Sequence, residues 1–331
     1  MQRLIFSLFV TERGLALSER TTIRAPGLGA GSPRIVEHHR SVYSQLMSAA
    51  PTRAAPEAVQ RLYAELNGAV RPTFGKESAR AREYYARYVD FVTRQLPNRS
   101  ARILDIGCGA GWSTLMMREA GHDAAGLDLY PSDRVEVRAF ADVPYTQGDA
   151  QHLPFADATF DAVSMYQMLE HVAEPERALR EAVRVLRPGG RLFVVGPNLL
   201  GAGLTLYWAV RGTARRLRQG TLWESRTPEM PRHPGGNTMP ETWLQTLHNA
   251  KHTLRKLTVE RVPTFLMREP DPRPPFHSDN DACYLCNPMD LINWGSASGL
   301  AKPLRWWSFD RKLARIIWPL SGGTWVTLEK L

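Results

Sequence analysis

Short apolar segments alternate with helical segments through the middle of the chain. Five apolar runs bounded by turn residues predict strands at 102–106, 124–129, 144–146, 160–165 and 191–195. Between them, 112–120 and 174–186 place apolar residues at the three- and four-residue spacing of a helix. Because strands that alternate with helices form parallel sheets, the pattern predicts a doubly wound, mostly parallel α/β sheet.

The chain before the first predicted strand divides into two parts. Residues 1–55 show little periodicity and many turn residues, so we expect this segment to be poorly ordered. Residues 76–96 predict a long helix, in which Tyr84, Tyr85 and Tyr88 recur at helical spacing.

The regular alternation weakens after the fifth predicted strand. The stretch 199–276 is interpreted as a helical insert that forms a lid, and a helix at 289–297 and a strand at 324–328 are predicted beyond it. The chain therefore divides into an N-terminal segment, helices with a sheet core, an insert, and a C-terminal part that completes the fold: 1–55, 56–198, 199–276 and 277–331.

The charge balance and the N-terminus bear on partners and location. The 331 residues include 42 Lys and Arg against 33 Asp and Glu, a net charge of +9. Because the excess is spread along the chain, it suits either an anionic partner or simply a basic enzyme. The apolar run 4–10 is too short for a secretory signal or a membrane span. We expect a cytoplasmic protein, with peripheral contact at the inner face of the membrane left open.

The cysteines do not predict a disulfide or a metal site. Cys108, Cys283 and Cys286 are too few for a disulfide framework and fit a reducing compartment. The pair at 283 and 286 stands alone, whereas zinc takes about four ligands. Tyr284 and Leu285 between the two cysteines have the character of a strand.

A glycine-rich loop joins the first predicted strand to the helix after it. It begins at Asp105 and contains Gly107, Cys108, Gly109 and Gly111. Glycines allow a tight turn and a close approach of the backbone to a ligand, and a helix N-terminus attracts polar or anionic groups. Such a loop suits a dinucleotide, a flavin or S-adenosylmethionine.

Asp128 ends the second predicted strand. An acidic side chain at that position can accept hydrogen bonds from both hydroxyls of a ribose. This feature argues against a coenzyme A or simple phosphate site, and it fits both NAD and S-adenosylmethionine.

Four motifs in order resemble the class I S-adenosylmethionine-dependent methyltransferases, in particular the ubiquinone- and menaquinone-biosynthesis group and related small-molecule enzymes. They are LDIGCGAGW at 104–112, GDAQHLPFADATFDAV at 148–163, MLEHV at 168–172 and LRPGGRLFVV at 186–195. The resemblance covers roughly 80–200 and, more loosely, 276–331. It implies a seven-stranded Rossmann-like sheet and S-adenosyl-L-methionine as cofactor.

The resemblance also implies roles for the first two loops. Asp105, Gly107 and Gly109 would shape the pocket for the methionine part of the cofactor. Asp128 would bind the ribose, and Leu129 would pack on the adenine.

In the third and fourth loops, the resemblance implies further contacts. Asp149 would accept from the adenine amino group, and Ala150 and Gln151 would line the ring. Tyr166 and Gln167 would face the methionine moiety and the acceptor.

The implied reaction is an in-line displacement at an activated methyl group, which needs a base only if the acceptor loses a proton. One candidate base is His171 beside Glu170, for which a structural role is the alternative. The other is His277, close to Asp279 and Asp281, because a histidine often precedes the corresponding helix in the family. The alternatives for this second cluster are a hydrated loop and a metal site.

The motifs of nucleobase methyltransferases are absent from the sequence. Residues 165–168 read Met-Tyr-Gln-Met where nucleobase N-methyltransferases carry Asn/Asp-Pro-Pro-aromatic, and no Pro-Cys dipeptide of the cytosine C5 enzymes occurs. Nucleic acid is therefore disfavoured as acceptor. We expect methylation at oxygen or carbon of a small-molecule or a lipid- or glycan-linked acceptor.

Two segments rich in Trp and Arg favour an amphiphilic acceptor. Residues 199–222 and 305–320 combine basic with large apolar side chains, a composition found at membrane interfaces. Helices packed on the core with a basic outer face are the alternative. Rival functions are a catalytically inactive cofactor-binding module, a nucleic-acid methyltransferase, and another enzyme that uses the same pocket. The oligomeric state stays open.

Overall fold

A computed structural model describes residues 78–97, 100–129, 143–220, 239–268, 282–307, 315–316 and 318–331. The predicted N-terminal segment 1–55 and the candidate base His277 lie outside these ranges. In the described part, the strands are β1 Arg102–Ile106, β2 Asp123–Asp128, β3 Tyr145–Gln147, β4 Phe160–Tyr166, β5 Leu186–Pro197, β6 Ala301–Arg305 and β7 Gly323–Lys330. The helices are α1 Ser78–Thr93, α2 Trp112–Glu119, α3 Pro175–Val185, α4 Ala202–Gln219, α5 Met239–Thr258 and α6 Pro288–Ala297.

The strands form one seven-stranded sheet with the order β3-β2-β1-β4-β5-β7-β6. The first five strands are parallel, and β7 runs antiparallel between β5 and β6. The predicted fold, a doubly wound and mostly parallel seven-stranded α/β sheet, is confirmed. Its consequence for function is geometric, since the carboxyl ends of five parallel strands meet at one edge.

Helices cover both faces of the sheet. On one face, Tyr88 and Val92 of α1 and Met117 of α2 pack with Ile103 and Phe193 of the strands. The other face belongs to a second cluster, which includes apolar side chains of α3 and α6. These two layers bury the near-continuous apolar runs that predicted the central strands.

Three local predictions differ from the structure. Strand β5 begins at Leu186 rather than at residue 191, with a register shift opposite Phe160 and Ala162. Strand β6 was not predicted, because its sequence AKPLR is polar and contains a proline. The expected strand at Tyr284 and Leu285 is limited to an isolated bridge between Met267 and Tyr284.

The predicted insert, 199–276, contains two helices in its described residues, and the stretch 259–268 after the second one is not helical. Helix α4 ends at the left-handed Gly220, and α5 begins at Met239. None of the helices in the described ranges combines the length and the hydropathy that a bilayer-spanning segment requires.

The second Trp-rich segment is partly described. Trp306 is half-buried and packs against the core, and Trp307 and Trp318 contact its ring edge-on. These tryptophans therefore pack against the fold. Of the two interpretations of this segment, the packing favours a helix or loop on the core over a membrane-facing one.

Candidate active site

The loops that carry the predicted cofactor ligands line the carboxyl edge of the sheet. Residues 107–111 follow β1, and 149–151 follow β3. Residues 128–129 lie at the end of β2, and 166–167 lie at the end of β4. Because the four strands are parallel neighbours, these loops lie side by side. This is the edge at which open α/β sheets bind ligands.

The glycine loop is built around three left-handed residues. Gly107, Gly109 and Gly111 have φ of 73°, 53° and 84°, a region that side chains rarely adopt. The N–H groups of Gly107 and Cys108 both donate to the carbonyl of Leu127, at 2.7 and 3.2 Å. These bonds hold the loop close to the end of β2.

Gly107 also leaves no space for a side chain. A Cβ built at this position would lie 2.7 Å from Cβ of Met168, which belongs to the loop after β4. The glycine therefore allows two ligand-facing loops to approach each other. This close contact fixes the position of the glycine loop relative to the loop after β4 at the edge of the sheet.

Replacing Gly107 with alanine is expected to weaken S-adenosylhomocysteine binding by about tenfold or more, because strain and the clash with Met168 both displace the loop. Calorimetric titration measures the affinity. The matched control is Gly299→Ala, since Gly299 also has a positive φ of 68° but no heavy atom within 4 Å of its Cβ position. Equal affinities for the two variants would show that the close approach to Met168 does not matter.

The carboxylate of Asp105 lies fully buried beneath the loop. Its Oδ2 accepts from Ser113 Oγ at 2.6 Å and from Thr114 Oγ1 at 2.8 Å. Its Oδ1 accepts from Ser164 Oγ at 2.9 Å and from Tyr88 Oη at 3.2 Å. Burial raises the pKa of this carboxyl, and the four hydrogen bonds act in the opposite direction. Asp105 thus joins β1 to α1, α2 and β4 beneath the glycine loop, and its role in shaping a cofactor pocket stays a prediction.

The side chain of Cys108 is buried on the sheet side of the loop. A Cβ added to Gly126 of β2 would lie 2.6 Å from Cys108 Sγ. Burial raises the pKa of this thiol well above its usual range, and the neighbouring Asp105 adds to the effect. Only the backbone of Cys108 is therefore placed to meet a ligand.

Asp128 is anchored at the end of β2. Its Oδ2 accepts a hydrogen bond from the backbone N–H of Gly109 at 2.8 Å. The carbonyl of the half-buried Leu129 accepts from Gln147 Nε2 at 3.1 Å. These contacts hold the carboxylate and the adjacent leucine at the loop edge, and their contacts with a ribose and an adenine stay predictions.

Asp149 is oriented by its neighbour Gln151. Gln151 donates to the Asp149 carboxylate from its backbone N–H at 2.8 Å and from Nε2 at 3.1 and 3.2 Å. Its Oε1 accepts from the N–H of Glu174 at 2.9 Å, and Ala150 between them is buried. Both ends of the Gln151 amide are thus engaged within the protein, so the structure favours a positioning role for it.

Tyr166 and Gln167 form the end of β4. The ring of Tyr166 stacks on Tyr88 with centroids 4.4 Å apart and contacts Tyr84 and Tyr85 edge-on or tilted. Burial raises the pKa of its phenol well above the usual range, with a further contribution from Tyr84. Gln167 has a φ of 51°, an uncommon conformation of the kind found at functional sites.

The tyrosines of α1 were missed as site residues. Their helical spacing was visible in the sequence, but it indicates a packed face as readily as a ligand-facing one. The polar Ser164 within an apolar strand was a second signal of the buried network at Asp105.

His171 lies in a short 3₁₀ helix, Leu169–His171, just beyond β4. Its Nε2 is 3.8 Å from Oε1 of the buried Glu170. The carbonyl of Glu170 accepts from the N–H groups of Cys283 and Tyr284, both at 2.9 Å. The segment that begins at residue 282 therefore contacts the 3₁₀ helix that follows β4.

His277, Asp279 and Asp281 lie outside the described residues, so their relation to His171 stays a prediction. Cys283 and Cys286 are both buried, and neither forms a disulfide. Among the described residues, His, Cys, Asp and Glu side chains do not gather in a group that could hold a metal ion.

Comparison with known proteins identifies the domain. Residues 104–194 match a family described as "Methyltransferase domain". A ubiquinone biosynthesis O-methyltransferase of Azorhizobium caulinodans is 34% identical over 149 residues, which cover 40% of this chain and 59% of the relative. A demethylmenaquinone methyltransferase of Renibacterium salmoninarum is 43% identical over 94 residues, which cover 28% of this chain and 40% of the relative.

A third relative, a 27-O-demethylrifamycin SV methyltransferase of Amycolatopsis mediterranei, is 38% identical over 138 residues. That match covers 38% of this chain and 51% of the relative, so the chain spans about half the length of the curated relatives it matches. The family match at residues 104–194 runs from β1 to β5 and includes the glycine loop, Asp128 and Asp149. The match and the sheet order together point to a methyltransferase domain at residues 104–194.

Proposed function

We propose that this protein transfers the methyl group of S-adenosyl-L-methionine to an oxygen or carbon atom of a small-molecule or lipid-linked acceptor. The observation that carries the proposal is the cradle at the carboxyl edge, where the glycine loop, the anchored Asp128 and the oriented Asp149 lie side by side. The bound cofactor supplies an electrophilic methyl group. The protein's own task is to align the acceptor with that group and to exclude water.

The ends of β4 and β5 face the remaining space. Tyr166 and Gln167 close β4, and the buried stretch from residue 282 covers the side next to Glu170. Phe265 contacts Tyr284 with ring centroids 5.6 Å apart. The names of the relatives, which refer to quinone and rifamycin derivatives, support an acceptor with an apolar ring.

The proposal is tested by methyl transfer itself. The full chain, incubated with cofactor labelled in its methyl group and with extracts of small molecules, lipids and nucleic acids, is expected to place label in the organic phase. Asp128→Ala serves as the inactive control. Label only in nucleic acid, or tight cofactor binding without any transfer, would instead support the nucleic-acid enzyme or the inactive module.

If acceptor deprotonation is needed, His171 and His277 are the proposed bases. Replacing the base by alanine is expected to lower turnover by about a hundredfold and to leave cofactor affinity nearly unchanged. Steady-state kinetics with the identified acceptor, together with calorimetry of the cofactor product, separates the two effects. If neither variant loses turnover selectively, no histidine of this pair acts as the base.

A further inference from the structure

Helix α5 has an unusual distribution of polar and apolar side chains. Among the α5 side chains whose burial the structure describes, the buried ones are polar: Thr246, Asn249, Thr253 and Lys256. The large apolar side chains that it exposes are Trp243, Leu244, Leu247, Leu254 and Leu257. Leu244 and Leu247 are each 65% exposed and Leu254 is 62% exposed, so the outer face of this helix is more apolar than its inner face. A surface helix ordinarily has the opposite arrangement.

Specific bonds hold the polar face of α5 inward. Lys256 Nζ lies 3.1 Å from Asp290 Oδ1, and both side chains are fully buried. The same ammonium donates to the carbonyl of Val262 at 2.7 Å, and Asp290 Oδ2 accepts from the N–H of Phe265 at 3.1 Å. Rotating the helix to bury its leucines would break this pair and leave charges unpaired in the interior. The exposed leucines are therefore a stable feature of the fold.

Helix α4 extends the same surface. Leu206, Val210 and Leu217 are exposed and lie at a spacing of four and seven residues, which places them along one stripe. Thr213 falls on this stripe and accepts a hydrogen bond from Trp243 Nε1 of α5 at 3.1 Å. The apolar stripes of the two helices thus meet. Together they form an exposed apolar patch of the kind that marks an interaction site.

The charge of the two helices indicates the partner. Their sequences contain seven basic residues and one acidic residue. Arg211, Arg215, Arg218, Lys251 and Arg255 are exposed. A cationic rim around exposed leucines and a tryptophan is complementary to an anionic lipid surface, into which apolar side chains can insert beside the headgroups.

We propose that the α4–α5 hairpin docks the protein on an anionic membrane surface through this patch. This proposal rests on the proposed function. It adds that an apolar acceptor enters the protein from the side of α4 and α5. Past α5, exposed apolar side chains continue at Val259, Val262, Leu266 and Met267. Leu285 N–H donates to the carbonyl of Leu266 at 2.9 Å, beside the segment that contacts Glu170. These side chains extend the exposed apolar surface from α5 toward the segment that contacts Glu170.

Vesicle flotation of the full chain tests the proposal. The wild type is expected to float with phosphatidylglycerol-containing vesicles and much less with phosphatidylcholine alone. The triple variant L244Q/L247Q/L254Q is expected to lose at least about tenfold in vesicle affinity, because three inserting side chains become polar. R211Q/R218Q should lose the preference for anionic vesicles. The matched control is I316Q, since Ile316 is 73% exposed but lies outside the hairpin.

The following outcomes would contradict docking on a membrane. Flotation by neither vesicle, or unchanged flotation of the triple variant, would exclude the bilayer as the partner. A wild-type dimer that the triple variant converts to a monomer would assign the patch to a second copy of the chain. S-adenosylhomocysteine affinity is measured in parallel and should be the same in all variants. If the wild type lacks that affinity, the proposed function fails, whatever the flotation result.

Discussion

Replacing Asp105 with alanine is expected to destabilise the fold by about 4 kcal/mol or more, because four buried hydroxyl groups lose their acceptor and each unpaired donor costs about 1–3 kcal/mol. A loss of that size is a large part of the stability of a typical domain. Urea denaturation followed by circular dichroism measures the change.

Two further variants show whether the buried acceptor is the cause. Asp105→Asn keeps one acceptor oxygen, and hydroxyl groups can rotate to accept from its amide, so its loss should be smaller. Asp123→Ala removes an exposed carboxylate that pairs with Arg102 at 3.3 Å and is expected to cost less than about 1 kcal/mol. If Asp105→Ala unfolds at the same urea concentration as the wild type, the network does not support the loop.

Replacing Asp128 with alanine is expected to weaken binding of S-adenosylmethionine and its demethylated product by about two to four orders of magnitude. Two hydrogen bonds from ribose hydroxyls to a carboxylate are each worth about 1.5–3 kcal/mol. The variant also loses the 2.8 Å bond from Gly109 that helps to hold the glycine loop. Isothermal titration calorimetry measures both ligands.

Asp128→Asn is the graded control, because its amide oxygen still accepts one hydrogen bond. It should fall between the wild type and the alanine variant. Unchanged affinity in Asp128→Ala, or tight NAD binding by the wild type, would contradict the ribose assignment.

The strands and the edge of the site could be predicted because both depend on local patterns. Strand β1 begins and ends where its apolar run does, at Arg102 and Ile106. The glycine loop could be recognised because few residues other than glycine adopt a positive φ. Asp128 could be recognised because few side chains other than a carboxylate accept hydrogen bonds from two hydroxyl groups at once. By contrast, the donors to Asp105 include Ser164, 59 residues away, and no local pattern reports a contact over that separation.

The insert shows a second limit of sequence patterns. Its helices were predicted, but the face that each one buries was not. Pattern analysis assumes that the apolar face turns inward, whereas α5 is held by the buried pair of Lys256 and Asp290. The polar face of α5 turns inward because Lys256 on it pairs with Asp290 of α6. A sequence pattern confined to α5 does not report this partner.

The pairing of β7 has a consequence for how such a domain can be divided. The family match ends at residue 194, within β5, yet β7 pairs along β5 from Arg191 to Pro197. Tyr88, before the start of the match, donates to the buried Asp105. A fragment cut to the matched residues would expose one open sheet edge and remove one donor of the buried network. The sequence segment that the family match recognises is therefore smaller than the set of residues that the sheet and the Asp105 network require. A gene fusion made at residues 104 and 194 would leave out part of both.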